Sequence, residues 1–338
     1  MFTDYLKKVV EEKRVPGISV VHVKGDKNFF YSAGYNGYGE FVQDLVPSSK
    51  DMLYDMASCT KVTVTTTLTL KLIEEGLFTL DTKVKDLLPD FKFSNVTVLN
   101  LLTHTSGLPA DDKNYKLCKT SREMWQFTLN QPLVYEIGTK VEYSDFGFII
   151  LGKIIEKFKG SLEDYATEVI FEPLGMNSSV FNPAIKGLTD KCAPCEVTKE
   201  RGVIQGIVHD GKAHKLNGLS GNAGLFSTTS NLAKFARMLL NDGYPVLKKE
   251  TVDLLKKSWT EGLNLNRTIG WFFNDPSTPV YGIASDCALW HTGFSGTSML
   301  IDLKRKEAVI ILTNRTHPTR NNDITDLRRE IHSLLMGE

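Results

Sequence analysis

Ser58 and Lys61 stand three positions apart in Ala57-Ser58-Cys59-Thr60-Lys61-Val62. On a helix, positions i and i+3 share a face. The lysine amine can then reach the serine hydroxyl and help remove its proton, which turns an inert alcohol into a nucleophile. A serine and a lysine at this spacing recur by chance in many proteins, so the pair gains weight only from its company. Val141-Glu142-Tyr143-Ser144-Asp145-Phe146-Gly147 puts a tyrosine two residues from a polar side chain, just ahead of an apolar run. Trp290-His291-Thr292-Gly293-Phe294-Ser295-Gly296-Thr297 sets a basic residue, a threonine and a glycine in a row before a strand-like segment.

In order and spacing these three segments match Ser-x-x-Lys, Tyr-x-Asn or Ser-x-Asn, and Lys-Thr-Gly, the motif set of the penicillin-recognising serine enzymes. The chain resembles the serine β-lactamase and penicillin-binding protein superfamily, in particular its class C β-lactamase-like branch, which also holds D-aminopeptidases, D-alanyl-D-alanine carboxypeptidases and esterases. The resemblance runs from Val15-Pro16-Gly17 to Ile310-Ile311-Leu312-Thr313-Asn314. It takes in Leu101-Leu102-Thr103-His104-Thr105-Ser106-Gly107-Leu108, Glu172-Pro173-Leu174-Gly175-Met176 and Gly221-Asn222-Ala223-Gly224-Leu225-Phe226.

The resemblance implies an α/β (α+β) fold of β-lactamase/transpeptidase type, with an antiparallel sheet flanked by helices and a mainly helical lobe. It makes Ser58 the nucleophile of an acyl-enzyme and Lys61 or Tyr143 the proton acceptor, an alternative the residues leave open. The backbone N–H groups of Ser58 and Phe294 would form the oxyanion hole. Thr292 would bond the substrate, and Gly293 would let a ligand approach the strand backbone.

Two residues depart from the family pattern. Asp145 stands where Asn is usual, and an ionised carboxylate cannot donate to a substrate carbonyl as an amide can. It is expected to pair with Lys61, keep it protonated and shift the proton-accepting duty toward Tyr143. His291 replaces the lysine of Lys-Thr-Gly, as it does in D-aminopeptidase-like relatives. With an ordinary pKa of about 6.5, it is a weaker carboxylate anchor, which counts against a strict C-terminal carboxypeptidase.

Other candidates have plainer readings. His104 or His209-Asp210 could complete a Ser-His-Asp triad, but the lysine and tyrosine already supply the proton transfers, and His104 is expected to hold a turn. Asn222 is expected at the cleft border, with Trp290 and Phe294 lining the pocket or belonging to the core. Cys192-Ala193-Pro194-Cys195 has the spacing of a redox pair or half a zinc site. No second pair follows, so packing is the expectation and neither metal nor cofactor is called. Cys59 should point away from the reacting face.

The elements that must position these residues are partly legible. Phe2, Leu6, Val9 and Val10 fall at helical spacing, and Val15-Pro16-Gly17 stops that helix. Ile18 to Val23 and Phe29 to Ala33 read as an antiparallel pair about Gly25-Asp26. Thr297 to Leu303 and Ala308 to Thr313 read as a hairpin turning at Lys304, Arg305 and Lys306, and Ile324, Leu327, Ile331 and Leu334 mark a closing helix. Residues 1–75 with 205–338 would form the sheet domain and 76–204 the helical lobe. The site would lie between them, with Ser58 starting a helix and His291 on a sheet edge. Val62 to Leu70 alternates apolar and β-branched polar residues like a strand, yet the resemblance requires a helix ending near Gly76.

Composition bounds the rest. Across 338 residues, 40 basic side chains balance 40 acidic ones, which leaves no electrostatic footprint for nucleic acid. The longest apolar stretch falls far short of the ~20 residues that span a bilayer. The amino terminus lacks the apolar core and cleavage site of a secretory signal, which points to a cytoplasmic protein, or an extracytoplasmic one if a leader has been removed. The expected function is that of a serine hydrolase acting on a D-amino-acid peptide or small ester. The alternatives are a true β-lactamase and a penicillin-binding or sensing protein that does not turn over.

Overall fold

The computed structural model describes residues 2–273 and 284–337. Both ends of the chain feed one antiparallel sheet. Its strands are β1 (Gly17–Lys24), β2 (Lys27–Gly34), β3 (Phe272–Phe273), β4 (Ala288–Thr292), β5 (Ser298–Asp302) and β6 (Glu307–Thr313), in the order β2-β1-β6-β5-β4-β3. Chain termini meet in the middle of the sheet, where Val20 pairs with Ile311. β1 and β2 turn tightly between Lys24 and Lys27.

Side-chain alternation along the strands builds two cores. Ile18 and Val20 with Val309 and Ile311 face Leu6 and Val9 of α1 (Phe2–Glu11) and Leu327, Ile331 and Leu335 of α5 (Thr325–Met336). Val21, Val23, Ala308, Ile310 and Leu312 face the other way, into the core that holds Leu232, Phe235 and Leu239 of α4 (Thr229–Leu240). A sheet covered on both faces reads as continuous apolar runs, and each fully buried Leu or Ile contributes about 1.5–3 kcal/mol. The closing helix buries Leu335 rather than the expected Leu334, which is exposed, because its apolar residues step by four from Leu327.

The middle of the chain supplies helices at Val84–Leu87, Val98–Leu102, Ser121–Leu129, α3 (Asp145–Lys159) and Leu162–Ala166. Here too lies the segment with the strand-like pattern. Residues 61–66 form a widened π turn that runs into α2 (Thr67–Glu74), and Gly76, at φ +75°, follows its end. All ten residues from Lys61 to Leu70 are buried. A helix enclosed on every side has no solvent face, so the 3.6-residue polarity period is absent. Three of its threonines find carbonyl acceptors, Thr65 donating to Gly221 O at 2.6 Å, Thr69 to Thr65 O at 2.7 Å and Thr67 to Val62 O at 3.2 Å, whereas Thr66 Oγ1 has no partner among the described residues.

α3 crosses the segment before β-residues Leu225–Ser227 at glycine contacts. A Cβ on Gly221 would lie 2.1 Å from Phe148 O, and one on Gly152 2.8 Å from Gly221 N. This close approach carries the Asn222 backbone to the side of Lys61.

Candidate active site

Ser58 lies in the turn just before the helical segment rather than inside it. Asp55 fixes that turn. Its buried carboxylate accepts from Ala57 N at 2.8 Å and from His209 N at 2.7 Å, while Ser295 donates to its backbone carbonyl at 2.6 Å. Ala57 is held at φ +45°, a conformation that non-glycine residues rarely adopt. Strain next to a reactive side chain persists only where its surroundings over-determine it, and the three Asp55 bonds do so here.

Lys61 Nζ has three close oxygen partners: Ser58 Oγ at 2.9 Å, Asn222 O at 2.9 Å and Asp145 Oδ1 at 2.8 Å. An ammonium carries three donors and no lone pair, so the three contacts match the protonated form. Burial opposes the charge, but Asp145 and Tyr143 outweigh it and raise the lysine pKa. Asp145, the first residue of α3, turns its other oxygen to Lys212 at 3.1 Å, and Lys212 reaches Asp111 at 2.7 Å. Burial pushes the Asp145 carboxyl up, yet Lys61 and Lys212 together hold it down at about 2. Lys61, Asp145, Lys212 and Asp111 thus form a row of alternating charge.

Tyr143 enters from the opposite side. Its ring lies 5.0 Å from Lys61 Nζ and 4.5 Å, centroid to centroid, from His104, and its buried hydroxyl lies beside Lys61 and Ser58 without completing a well-formed hydrogen bond. Burial raises the phenol pKa against the opposing pull of Lys61. His104 holds this loop rather than serving as a base: its Nδ1 accepts from Ser144 N at 3.1 Å, and its carbonyl accepts from Glu142 N and Tyr135 Oη. The other triad candidate is engaged elsewhere. His209 bonds Glu196 at 2.9 Å, and Asp210 accepts from Ala213 N and Asn222 Nδ2.

His291 and Thr292 end β4. The strand is interior, flanked by β5 and the short β3, but β3 pairs only with Leu289 and Trp290, so His291 lies beyond that pairing. The buried ring places Nδ1 3.0 Å from Thr292 O and leaves Nε2 without a partner. A carbonyl only accepts, so Nδ1 carries the proton and Nε2 presents a lone pair. Burial, with Arg267 and Lys61 nearby, pushes the imidazole pKa well below its ordinary value. A neutral acceptor therefore stands where the family pattern has a lysine donor.

Gly293 lines the smaller cavity beside Ser58, and its lack of a side chain also serves the packing. A Cβ there would meet Thr297 Oγ1 at 2.0 Å and Met56 O at 2.5 Å, so the glycine is required by the packing of the strand against the nucleophile turn. Phe294 is 48% exposed, and its ring stacks with His209 at 5.7 Å and carries the Arg315 guanidinium at 4.4 Å. The backbone N–H groups of Ser58 and Phe294 have no hydrogen-bond acceptor among the described residues. Ser58 and Phe294 line both cavities of the cleft. The larger, about 640 Å³, is rimmed by Tyr115, Arg201, Lys212 and Arg320; the smaller, about 310 Å³, by Tyr143, Phe272, His291 and Thr292.

Cys59 packs toward the sheet, accepting from Thr297 Oγ1 at 3.5 Å, and burial pushes its thiol up to about 11. Cys192 and Cys195 are buried too, and burial drives Cys192 to about 12, the reverse of what a thiolate ligand or redox thiol needs.

The family model for β-lactamase matches residues 2–333, so the chain belongs to the β-lactamase family. A curated relative, the putative D-alanyl-D-alanine carboxypeptidase of Salmonella agona (strain SL483), is 32% identical over 334 residues, covering 88% of this chain and 77% of the relative. The octameric penicillin-binding protein homologue from Pyrococcus abyssi superposes with TM-score 0.78 at 25% identity, covering 99% of this chain and 76% of that one. EstCE1, a hydrolase with promiscuous acyltransferase activity, has TM-score 0.80 at 18% identity, covering 99% and 97%, and shows the shared fold.

Ser58, Lys61, Tyr143, Asp145 and His291 therefore converge on one cleft. Sequence reading missed Asp55, Lys212, Arg267 and Phe272. An aspartate beside a buried lysine does signal a further cation, but nothing in Asp210-Gly211-Lys212 singles out Lys212.

Proposed function

We propose that the chain is a serine acyl hydrolase that forms an acyl-enzyme at Ser58, with Tyr143 as the proton acceptor and Lys61 as a permanent cation. Its substrate is a D-amino-acid peptide or a small ester. The observation that carries this reading is the set of three oxygen acceptors around Lys61 Nζ. A lysine so engaged has no lone pair for the serine proton.

The Tyr143 phenolate takes the Oγ proton as Oγ bonds the substrate carbonyl carbon. The carbonyl electrons move onto oxygen, which the free N–H groups of Ser58 and Phe294 bind. Collapse expels the amine or alcohol, which leaves with the proton from Tyr143, and water repeats the sequence on the ester. Because burial raises the phenol, kcat/KM should climb from neutral into alkaline pH. His291, an acceptor, favours a leaving group that offers a donor or a neutral ester over one that ends in a carboxylate.

Intact-protein mass spectrometry after mixing with a penicillin, for wild type and Ser58→Ala, tests the nucleophile. A Ser58-dependent adduct supports it: decay with product would mean β-lactamase turnover, and persistence a penicillin-binding role. Paired D-alanyl substrates with free and amidated C-termini test the leaving-group preference. A higher kcat/KM for the free carboxylate would refute it. If p-nitrophenyl esters and D-alanyl amides are not hydrolysed and no adduct forms, the hydrolase reading fails.

A further inference from the structure

Arg267 is wholly buried and has no carboxylate partner among the described residues, and its Nε and Nη1 lack hydrogen bonds. Among the described residues its one side-chain bond runs from Nη2 to Gly270 O at 2.8 Å. The position is not slack. Arg267 N donates to Thr260 Oγ1 at 2.8 Å, its carbonyl accepts from Trp259 N at 2.8 Å, and its guanidinium lies 3.9 Å from the centroid of Phe272. Phe272 in turn stacks on Trp290 at 4.1 Å and parallel to Tyr143 at 6.3 Å. A buried cation without an ionic partner is costly, so a fold that holds one rigidly has a use for its charge. The guanidinium lies 5.9 Å from the Tyr143 ring, and among the described residues Tyr143 is the one acidic group that acts on it.

We propose that Arg267 is a positioning residue for the reaction, an electrostatic partner that stabilises the Tyr143 phenolate when Ser58 is deprotonated. The proposal rests on the assignment of Tyr143 as proton acceptor. Facing Tyr143 are Lys61 and Asp145, which form an ion pair and so offset each other, the imidazoles of His104 and His291, and Arg267. Arg267 is the cation in this set that no carboxylate among the described residues neutralises. Burial lowers its pKa to about 9, so it stays charged at neutral pH, and its charge also helps keep both imidazoles neutral.

The test compares wild type, Arg267→Met, Arg267→Gln and Arg267→Lys. The first readout is kcat/KM against pH on a p-nitrophenyl ester; the second is the tyrosinate difference absorbance between each variant and the same variant with Tyr143→Phe. Removing the charge should move the acidic limb, and the Tyr143 ionisation, to higher pH by about one unit, with a loss of roughly tenfold in kcat/KM at neutral pH. Arg267→Lys should recover most of the shift. A uniform loss at every pH with an unmoved limb would mark a purely structural role and overturn the proposal, as would an unmoved Tyr143 ionisation. The absorbance titration needs no turnover. If the chain proves not to be a hydrolase, a shifted ionisation still upholds the Arg267–Tyr143 pairing and an unshifted one still refutes it. Gln keeps polarity in case the Met variant fails to fold, and either neutral variant suffices.

Discussion

The two walls around Ser58 are built on opposite principles. On one, Lys61, Asp145, Lys212 and Asp111 match charge for charge at 2.7–3.1 Å, and Lys61 has an acceptor for each of its protons. On the other, Tyr143 Oη, His291 Nε2, His104 Nε2 and two nitrogens of Arg267 are buried without well-formed hydrogen bonds among the described residues. Buried polar atoms are rarely left unpaired in native proteins, so five in one wall mark a place that a fold optimised only for stability would not contain. The matched wall holds a fixed field, and the unmatched wall keeps its atoms free for a substrate and a moving proton.

The sharpest break of this contrast is Tyr143→Phe. General-base removal typically costs about 10²–10⁴ in rate, and a loss in that range is expected in kcat/KM. The removed hydroxyl completes no well-formed hydrogen bond, so the thermal midpoint should hold or rise. A large fall in thermal stability together with retained activity would reverse the assignment of the walls.

Asp145→Ala should do the opposite. It strands Lys61 and Lys212 without their shared carboxylate, and breaking a buried pair by removing one partner costs about 3–5 kcal/mol. Asp145 keeps some exposure, 17% of its side chain, which places the expected loss at the lower end. Urea unfolding measures it. A loss under about 1 kcal/mol would mean that the row of charges contributes little.

Acid should separate the walls as well. The Asp145 carboxyl is held at about 2 in the folded chain against about 3.9 when unfolded. A depressed carboxylate stabilises the fold above its unfolded pKa, and that stability is lost as pH falls through the folded value. Between about pH 5 and pH 2 the wild type should lose about 2 kcal/mol more than Asp145→Asn. Equal slopes of unfolding free energy against pH in the two proteins would sink the claim.

The contrast also explains what the sequence could carry. Ser58, Lys61, Tyr143 and His291 were legible because nucleophile, cation, phenol and strand end are tied to short local spacings. The pairing of Asp145 with Lys61 followed from charge alone. Lys212 and Arg267 were not legible, because each reaches the site from a distant segment with no local pattern, and partner choice across such separations is decided by tertiary packing. The helix after Ser58 contradicts its own β-branched alternation for a related reason: burial on every side removes the periodicity that amphipathic patterning depends on. Gly293 was legible as a close approach; that Thr297 Oγ1 and the Met56 carbonyl also crowd it was not, because both come from other segments.

The finest test sets one wall against the other. In Asp145→Asn the carboxylate that raises both the Lys61 ammonium and the Tyr143 phenol is gone. Burial then lowers Lys61 unopposed by Asp145, and the phenol loses a neighbouring negative charge. Whichever group accepts the serine proton, its pKa falls, so the acidic limb of kcat/KM should move to lower pH, by about one unit or 1.4 kcal/mol. Arg267→Met should move the same limb upward. Opposed shifts would identify a single titrating group held between a matched anion and an unmatched cation, whereas an unchanged limb and turnover in Asp145→Asn would remove Asp145 from the proton chemistry altogether.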